Sequence, residues 1–276
     1  MLNLGIVTRS FPNWSVEDCA ARMADLGFAC TELCFTFSDL SGWNYNGCGD
    51  LSALTPSAVE KAAQAFRSRG IELTSVGAFS NLMEKDPEQL EKNFACFARY
   101  IDIAADLGIP YVSTENGFVP GHRGVQTDTF ESDFIFFRDH MCRLADMAAE
   151  KGVSIAFEPC TLDLTPSAKR TRDFLNQCGR DNLRILLDPA NLIANSDEED
   201  MFKYLSDRVA YFHGKDRHVN DTYGCNLGDG EIDWVRFFRL YHEKNDNTPF
   251  ILEYVNNDTC VPVRDLARKL DAEALR

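Results

Sequence analysis

The sequence predicts an α/β fold, a single (β/α)8 barrel over residues 1–276, on three observations. Short apolar runs alternate with helix-length amphipathic segments from one end of the chain to the other. A repeated β-α unit makes parallel strands, because each helix returns the chain to the same edge by a right-handed crossover, and eight such units in roughly 250 residues match a closed barrel in count and length. The turn after the first run, "TRSFPNW", holds no glycine of the kind that an open dinucleotide-binding sheet usually carries there.

Strands are expected at "LNLGIVTRS" (2–10), "ACTELCF" (29–35), "IELTSVGAF" (71–79), "YVSTENGF" (111–118), "SIAFEPC" (154–160), "LRILLDPAN" (183–191), "VAYFHGKD" (209–216) and "FILEYV" (250–255). The helices between them have recognisable starts. Ser15 opens "SVEDCAARMADLG", an acid three residues later completes a capping box, and Gly27 ends the helix. Thr55 opens "TPSAVEKAAQAFRSRG" with Pro at the first helical position and Gly70 after the last. Asp86 and Thr129 open the next two likewise, and the unit of strand, helix, glycine and strand is read eight times.

Composition narrows the function. With 45% apolar residues and no linker or low-complexity block, the chain buries one large core. A formal net charge of −15, without a Lys/Arg cluster, repels a phosphate backbone and argues against nucleic acid as a partner. The ten cysteines lie singly, without CxxC pairs, in a chain too large to need staples, which fits reduced thiols in a cytoplasm. No secretory signal follows Met1 and no apolar run spans a bilayer, so a cytoplasmic protein away from membranes is expected.

In a barrel of this kind the active site lies at the carboxyl ends of the strands. Glu158 in "IAFEPC", Asp188 in "ILLDPAN", His213 in "AYFHGKD" and Glu253 in "FILEYV" each follow an apolar run, at equivalent heights on strands five to eight. Taken singly, each is an ordinary strand-end polar group. As a set, three converging carboxylates repel one another unless something positive sits among them. Three carboxylates and an imidazole suit one divalent ion of intermediate hardness, with Mn2+ favoured and Mg2+, Co2+, Fe2+ or Zn2+ open.

The order Glu in "FEP", Asp in "LLDPAN", His in "FHGKD", a later "GDGEIDW" and Glu in "ILEY" resembles the xylose isomerase-like TIM barrels, often called sugar phosphate isomerases/epimerases, among them D-tagatose 3-epimerase, inosose dehydratase and 3-keto-glycoside epimerases. The resemblance implies one divalent metal, usually Mn2+, on Glu158, Asp188, His213 and Glu253, with Glu158 and Glu253 also acting as the proton-transfer pair. It implies an isomerase or epimerase working on a keto-sugar, 3-keto-glycoside or cyclitol through an enediolate. Free-ketose epimerases of the family usually carry His three residues after the strand-six Asp, whereas this chain has Asn191, which turns the expectation away from a simple ketohexose.

Further residues are expected around the sugar. Lys215 falls on the same side of its strand as His213 and is placed against a substrate oxygen, while Asp216 faces outward in a structural role. Glu115 and Glu32 end strands four and two, where they either hydrogen-bond sugar hydroxyls or satisfy loop donors. His122, on the loop after strand four, is a solvated histidine or a second proton donor. Of Trp14, Phe35, Trp43, Tyr45 and Phe79, which cluster on the first three units, Trp43 is the one assigned to sugar stacking. Phe134, Phe136 and Phe137 sit at helical spacing in the core. The loops 36–54 and 119–127 are expected to set specificity.

Rival classes remain. The same site could run a lyase or dehydratase reaction by β-elimination from a 3-keto sugar, glycosidic cleavage included. An endonuclease IV-type repair enzyme shares the barrel but uses three metals and many more histidines than the five here. A non-catalytic subunit, a homo-oligomer or a required second chain is a further possibility.

Overall fold

The computed structural model describes residues 2–119 and 121–276; Pro120, within the expected specificity loop 119–127, lies outside the described residues. Eight parallel strands pair in chain order and close on themselves: β1 (Leu4–Ile6), β2 (Cys30–Leu33), β3 (Glu72–Gly77), β4 (Tyr111–Thr114), β5 (Ser154–Phe157), β6 (Leu183–Leu187), β7 (Val209–Gly214) and β8 (Phe250–Leu252), which returns to β1. The helices α1 (Val16–Asp25), α2 (Pro56–Arg67), α3 (Pro87–Asp106), α4 (Phe130–Ala149) and α5 (Ala168–Cys178) each fill one connection. Two helices, α6 (Pro189–Leu192) and α7 (Glu198–Leu205), share the connection from β6 to β7; α8 (Trp234–Lys244) precedes β8 and α9 (Cys260–Ala274) covers the end.

The period of two along each strand builds two apolar layers. Ile155, Phe157, Ile185, Leu187, Phe212 and Leu252 point outward into the large core between barrel and helices, with Phe137, Phe157 and Phe174 stacked against one another there. Val7, Cys30, Ala156, Leu186, Tyr211 and Ile251 form a separate inner cluster that plugs the barrel. The residue two places on from each inner one is Arg9, Glu32, Glu158, Asp188, His213 or Glu253. Strand parity therefore delivers all six polar side chains to one end of the barrel, directly above its apolar plug.

Several local expectations need correction. Three strands stop just before their site residues, so that Glu158, Asp188 and Glu253 follow β5, β6 and β8, while His213 lies within β7; Asp188 caps α6 by accepting a bond from Ala190 N at 2.9 Å, because Pro189 sets the first helical φ. Ser15, Thr55 and Asp86 cap their helices as expected, but Thr129 does not; its hydroxyl donates to Asp133 Oδ2 at 2.6 Å and a short 3-10 turn leads into α4. The Ser15 box is half made, since Asp18 accepts from the Ser15 hydroxyl instead of from its backbone. The helix–glycine signal holds in five connections, with Gly27, Gly70, Gly108, Gly152 and Gly179 at positive φ, and then lapses; before β8, Asn247 takes the left-handed conformation instead.

Phe134 and Phe137 are core residues, while Phe136 is half-buried, edge-on to His140 and under Lys85. All ten cysteines are free thiols. Among the described residues no helix is long and apolar enough to cross a membrane.

Candidate metal centre and cavity

Glu158, Asp188 and His213 are fully buried and Glu253 nearly so, and each offers one donor atom such that all four lie within 4.8 Å of one another. His213 turns Nδ1 to this cluster, 3.3 Å from Glu158 Oε1 and 3.4 Å from Glu253 Oε2, and Nε2 to Glu32 Oε2 at 3.2 Å. Burial alone would lower the pKa of the imidazole, but Glu253, Glu158 and Glu32 together raise it well above the usual histidine range. Glu158 Oε2 is buried and accepts no hydrogen bond. A cluster of this composition, with an orphaned carboxylate oxygen inside it, has the donors and spacing of a divalent-metal site.

Two cations already answer part of the negative charge. Lys215 Nζ lies 2.7 Å from Asp188 Oδ2, 2.8 Å from Glu253 Oε2 and 3.7 Å from Glu158 Oε1; the contact to Asp188 is an ion pair off the hydrogen-bonding direction. Arg9, in the 3-10 turn after β1, pairs with the other oxygen of Glu253 and rests on the rings of Trp43 and Phe79, 5.8 and 5.2 Å from its centre. Burial would raise the Glu253 pKa, yet Lys215, Arg9 and His213 hold it well below the usual carboxylate range. Asp188 goes the other way: burial, with Glu158 and Glu253 nearby, lifts it to about 7 even though Lys215 opposes the shift.

Above the cluster opens a cavity of about 260 Å3. Its lining includes Trp43, Glu115, Asn191, Lys215 and Glu253 from the sequence reading. Trp43 Nε1 is buried without a hydrogen-bond partner, and Glu115 accepts from Tyr45 Oη at 2.8 Å. Asn191 donates Nδ2 to Glu158 Oε1 at 2.9 Å, so it holds the carboxylate as well as facing the cavity.

Two of the expected sugar contacts sit elsewhere. Glu32 lies beneath His213, fully buried, and takes Tyr211 Oη and Ser113 Oγ as well as the imidazole; burial would raise its pKa, but His213, Arg9 and Tyr211 bring it to about 2. Glu32 shares the parity of the other five, but it lies within β2 and its carboxylate is taken up by His213, Tyr211 and Ser113. His122 is exposed, at the rim of a neighbouring small cleft with Asp163 and Phe118. Among the aromatics, Trp43 and Tyr45 reach the cavity, Phe79 backs Arg9, Phe35 is in the core and Trp14 lies at a separate surface depression.

Asp216 is structural but not outward-facing. It is fully buried and accepts from Arg217 N, Gly228 N, Ile232 N and Trp234 Nε1 at 2.7–3.2 Å, which ties the "GDGEIDW" segment to the end of β7. Gly230 permits this, since a Cβ there would come within 2.2 Å of Asp216 Oδ1. Arg9, Arg123, Asp163, Arg217, Tyr223 and Tyr254 also line the cavity and were not singled out from sequence. For Arg9 the signal was present, as a charge two residues beyond Val7 at the same height as the other four.

Comparisons with known proteins agree with this architecture. Residues 20–275 match the family described as "Xylose isomerase-like TIM barrel". A ketose 3-epimerase of Arthrobacter globiformis is 21% identical over 224 residues, which cover 77% of this chain and 73% of that protein. Among solved structures, 3-keto-D-glucoside 4-epimerase from E. coli superposes with a TM-score of 0.75 at 14% identity, covering 100% of this chain and 99% of that one. The IolI protein with a bound zinc atom gives 0.74 at 16% identity, covering 99% and 97%.

Proposed function

The chain belongs to the xylose isomerase-like TIM barrel family, and from that premise we propose that it is a divalent-metal-dependent isomerase or epimerase, one domain over residues 1–276, acting on a keto-sugar, 3-keto-glycoside or cyclitol. The observation that carries the reading is the orphaned Glu158 Oε2 inside a buried set of four ligand atoms within 4.8 Å. Glu158, Asp188, His213 and Glu253 would hold one ion, Mn2+ by donor hardness, though the zinc atom in IolI supports a wider choice. When bound, the metal supplies Lewis-acid chemistry at a carbonyl and its neighbouring hydroxyl.

The chain's own residues do the rest. Glu158, held at Oε1 by Asn191, removes the proton next to the carbonyl. Glu253, held as an anion at both oxygens by Arg9 and Lys215, faces the same space and relays to the enediolate a proton taken from solvent, while Glu158 releases to solvent the proton it removed. Lys215 stabilises the developing oxyanion, and Trp43 and Glu115 address the sugar face and hydroxyls from the cavity wall. Cytoplasmic operation on a small-molecule sugar, as a homo-oligomer, is consistent with the family.

The test is dialysis against chelator, then assay on a panel of ketoses and 3-keto-glycosides in deuterated water. Metal-dependent deuterium uptake at the carbon beside the carbonyl is expected; full activity after complete metal removal overturns the reading. A second outcome, β-elimination, is favoured by one observation. Glu115 and Asp163 both line the cavity, and burial raises both above the usual carboxylate range, Asp163 further through Glu115, the direction that suits a general acid at a leaving group. Product mass separates the two, because epimerisation conserves it and elimination does not.

A further inference from the structure

Among the described residues, one buried cation on the cavity wall has no counter-ion. Arg217 is 4% exposed and lines the 260 Å3 cavity. Of its five donors, Nη2 makes a single long bond to Asn191 Oδ1 at 3.4 Å, and Nε is buried with no partner. Among the described residues no carboxylate comes within 4.0 Å of the guanidinium. The adjacent Asp216 is not available to it, since both Asp216 oxygens are taken by Arg217 N, Ile232 N, Gly228 N and the Trp234 indole.

The charges of the metal cluster have partners. Glu32, Glu158, Asp188 and Glu253 bring four formal negative charges; Arg9 and Lys215 bring two positive ones, and the divalent ion of the proposed function would bring the remainder. Arg123 is likewise without a carboxylate within 4.0 Å among the described residues, but it is exposed to solvent, whereas Arg217 is buried. Arg217 is left over, as a planar fork lacking the bidentate acceptor it is shaped for.

We propose that Arg217 docks a carboxylate of the substrate, so that this site takes a sugar acid rather than a neutral sugar. The inference rests on the proposed function and names its substrate class. A buried planar fork with its donors unmet matches one planar carboxylate, which accepts two parallel bonds in the plane of the guanidinium. Asn191 spans the two sites, donating to Glu158 at 2.9 Å and accepting from Arg217, so a carboxylate seated on Arg217 is one amide removed from the proton-abstracting group. Binding of the acid thereby orients the sugar over Glu158.

The experiment is calorimetric titration of Mn2+-loaded protein with three hexuronates (D-glucuronate, D-galacturonate, D-mannuronate), their parent hexoses and the corresponding hexose 6-phosphates. At least one uronate is expected to bind tenfold or more tightly than its parent, and Arg217→Gln to cut that preference below twofold while hexose and Mn2+ binding persist. Arg217→Lys, which keeps the charge but not the fork, should retain part of it. Equal affinity for every uronate and parent pair, tighter binding of a phosphate, or a preference that survives in Arg217→Gln overturns the inference. Electron paramagnetic resonance of bound Mn2+ reads the metal site separately: its failure sinks the proposed function, whereas intact Mn2+ binding without acid preference sinks only this step.

Discussion

Glu32 Oε2 lies 3.2 Å from His213 Nε2, on the ring edge opposite the nitrogen that faces Glu158 and Glu253. A carboxylate behind a metal-binding imidazole fixes the ring's tautomer and orientation and raises its basicity. Glu32→Gln is therefore expected to weaken Mn2+ binding about 10- to 100-fold. Titration followed by electron paramagnetic resonance checks it; unchanged affinity would return Glu32 to a purely structural role with Tyr211 and Ser113.

The two glutamates differ in what surrounds them, and their variants should differ too. Glu158→Gln removes a carboxylate whose Oε2 has no partner, so the metal-free protein should lose little or no stability while turnover falls about 100- to 10,000-fold. Glu253→Gln strips Arg9 and Lys215 of a shared counter-ion in a buried setting and should cost about 3–5 kcal/mol as well as activity. Urea denaturation of both chelated variants beside their turnover numbers decides it, and equal stability losses would count against the asymmetry.

Strand parity explains how much of this was legible beforehand. Glu158, Asp188, His213 and Glu253 each stand two residues beyond an inward-facing apolar residue, and that period is written in the sequence. The barrel followed from alternation of strands and helices for the same reason. Glu32 obeys the same parity, but whether it looks up at the sugar or sideways at His213 depends on a ring contributed by β7, 181 residues away. His122 and Arg217 lie on loops, where no periodicity constrains direction. Nor could pattern show that β6 ends before Asp188, because Pro189 starts a helix that an apolar run cannot announce.

Asp216 illustrates the same limit, since the outward position expected for it by alternation is occupied by four donors from the segment 217–234. Asp216→Ala would leave those donors buried and unmet, at a cost of about 3 kcal/mol, which in a chain of this size lowers the melting temperature by on the order of 10 °C. Scanning calorimetry on the chelated protein measures it directly. Trp234→Phe, which removes one donor and keeps the ring, should cost less than half as much; a larger loss in Trp234→Phe than in Asp216→Ala would contradict the arrangement.

Asp133 offers a pH-dependent test away from the active site. Its carboxylate is largely buried, which by itself raises the pKa, but Lys85 Nζ at 2.7 Å and Thr129 Oγ1 at 2.6 Å more than offset burial and leave it below the usual aspartate range. A carboxyl depressed in the folded state binds its proton more readily when unfolded. Its contribution is therefore fully present above the unfolded pKa of about 3.9 and disappears as pH falls through the lower folded value. Lys85 is well exposed, so the pair is screened, and Asp133→Asn should destabilise by only about 0.5–1 kcal/mol at pH 7. Urea midpoints of the native chain and Asp133→Asn, followed from pH 7 towards pH 2, should converge below pH 4. A gap that stays constant over that range would mean that α4 is fixed to Lys85 by packing of Phe136 under the ammonium group, at 3.8 Å, and not by the charge.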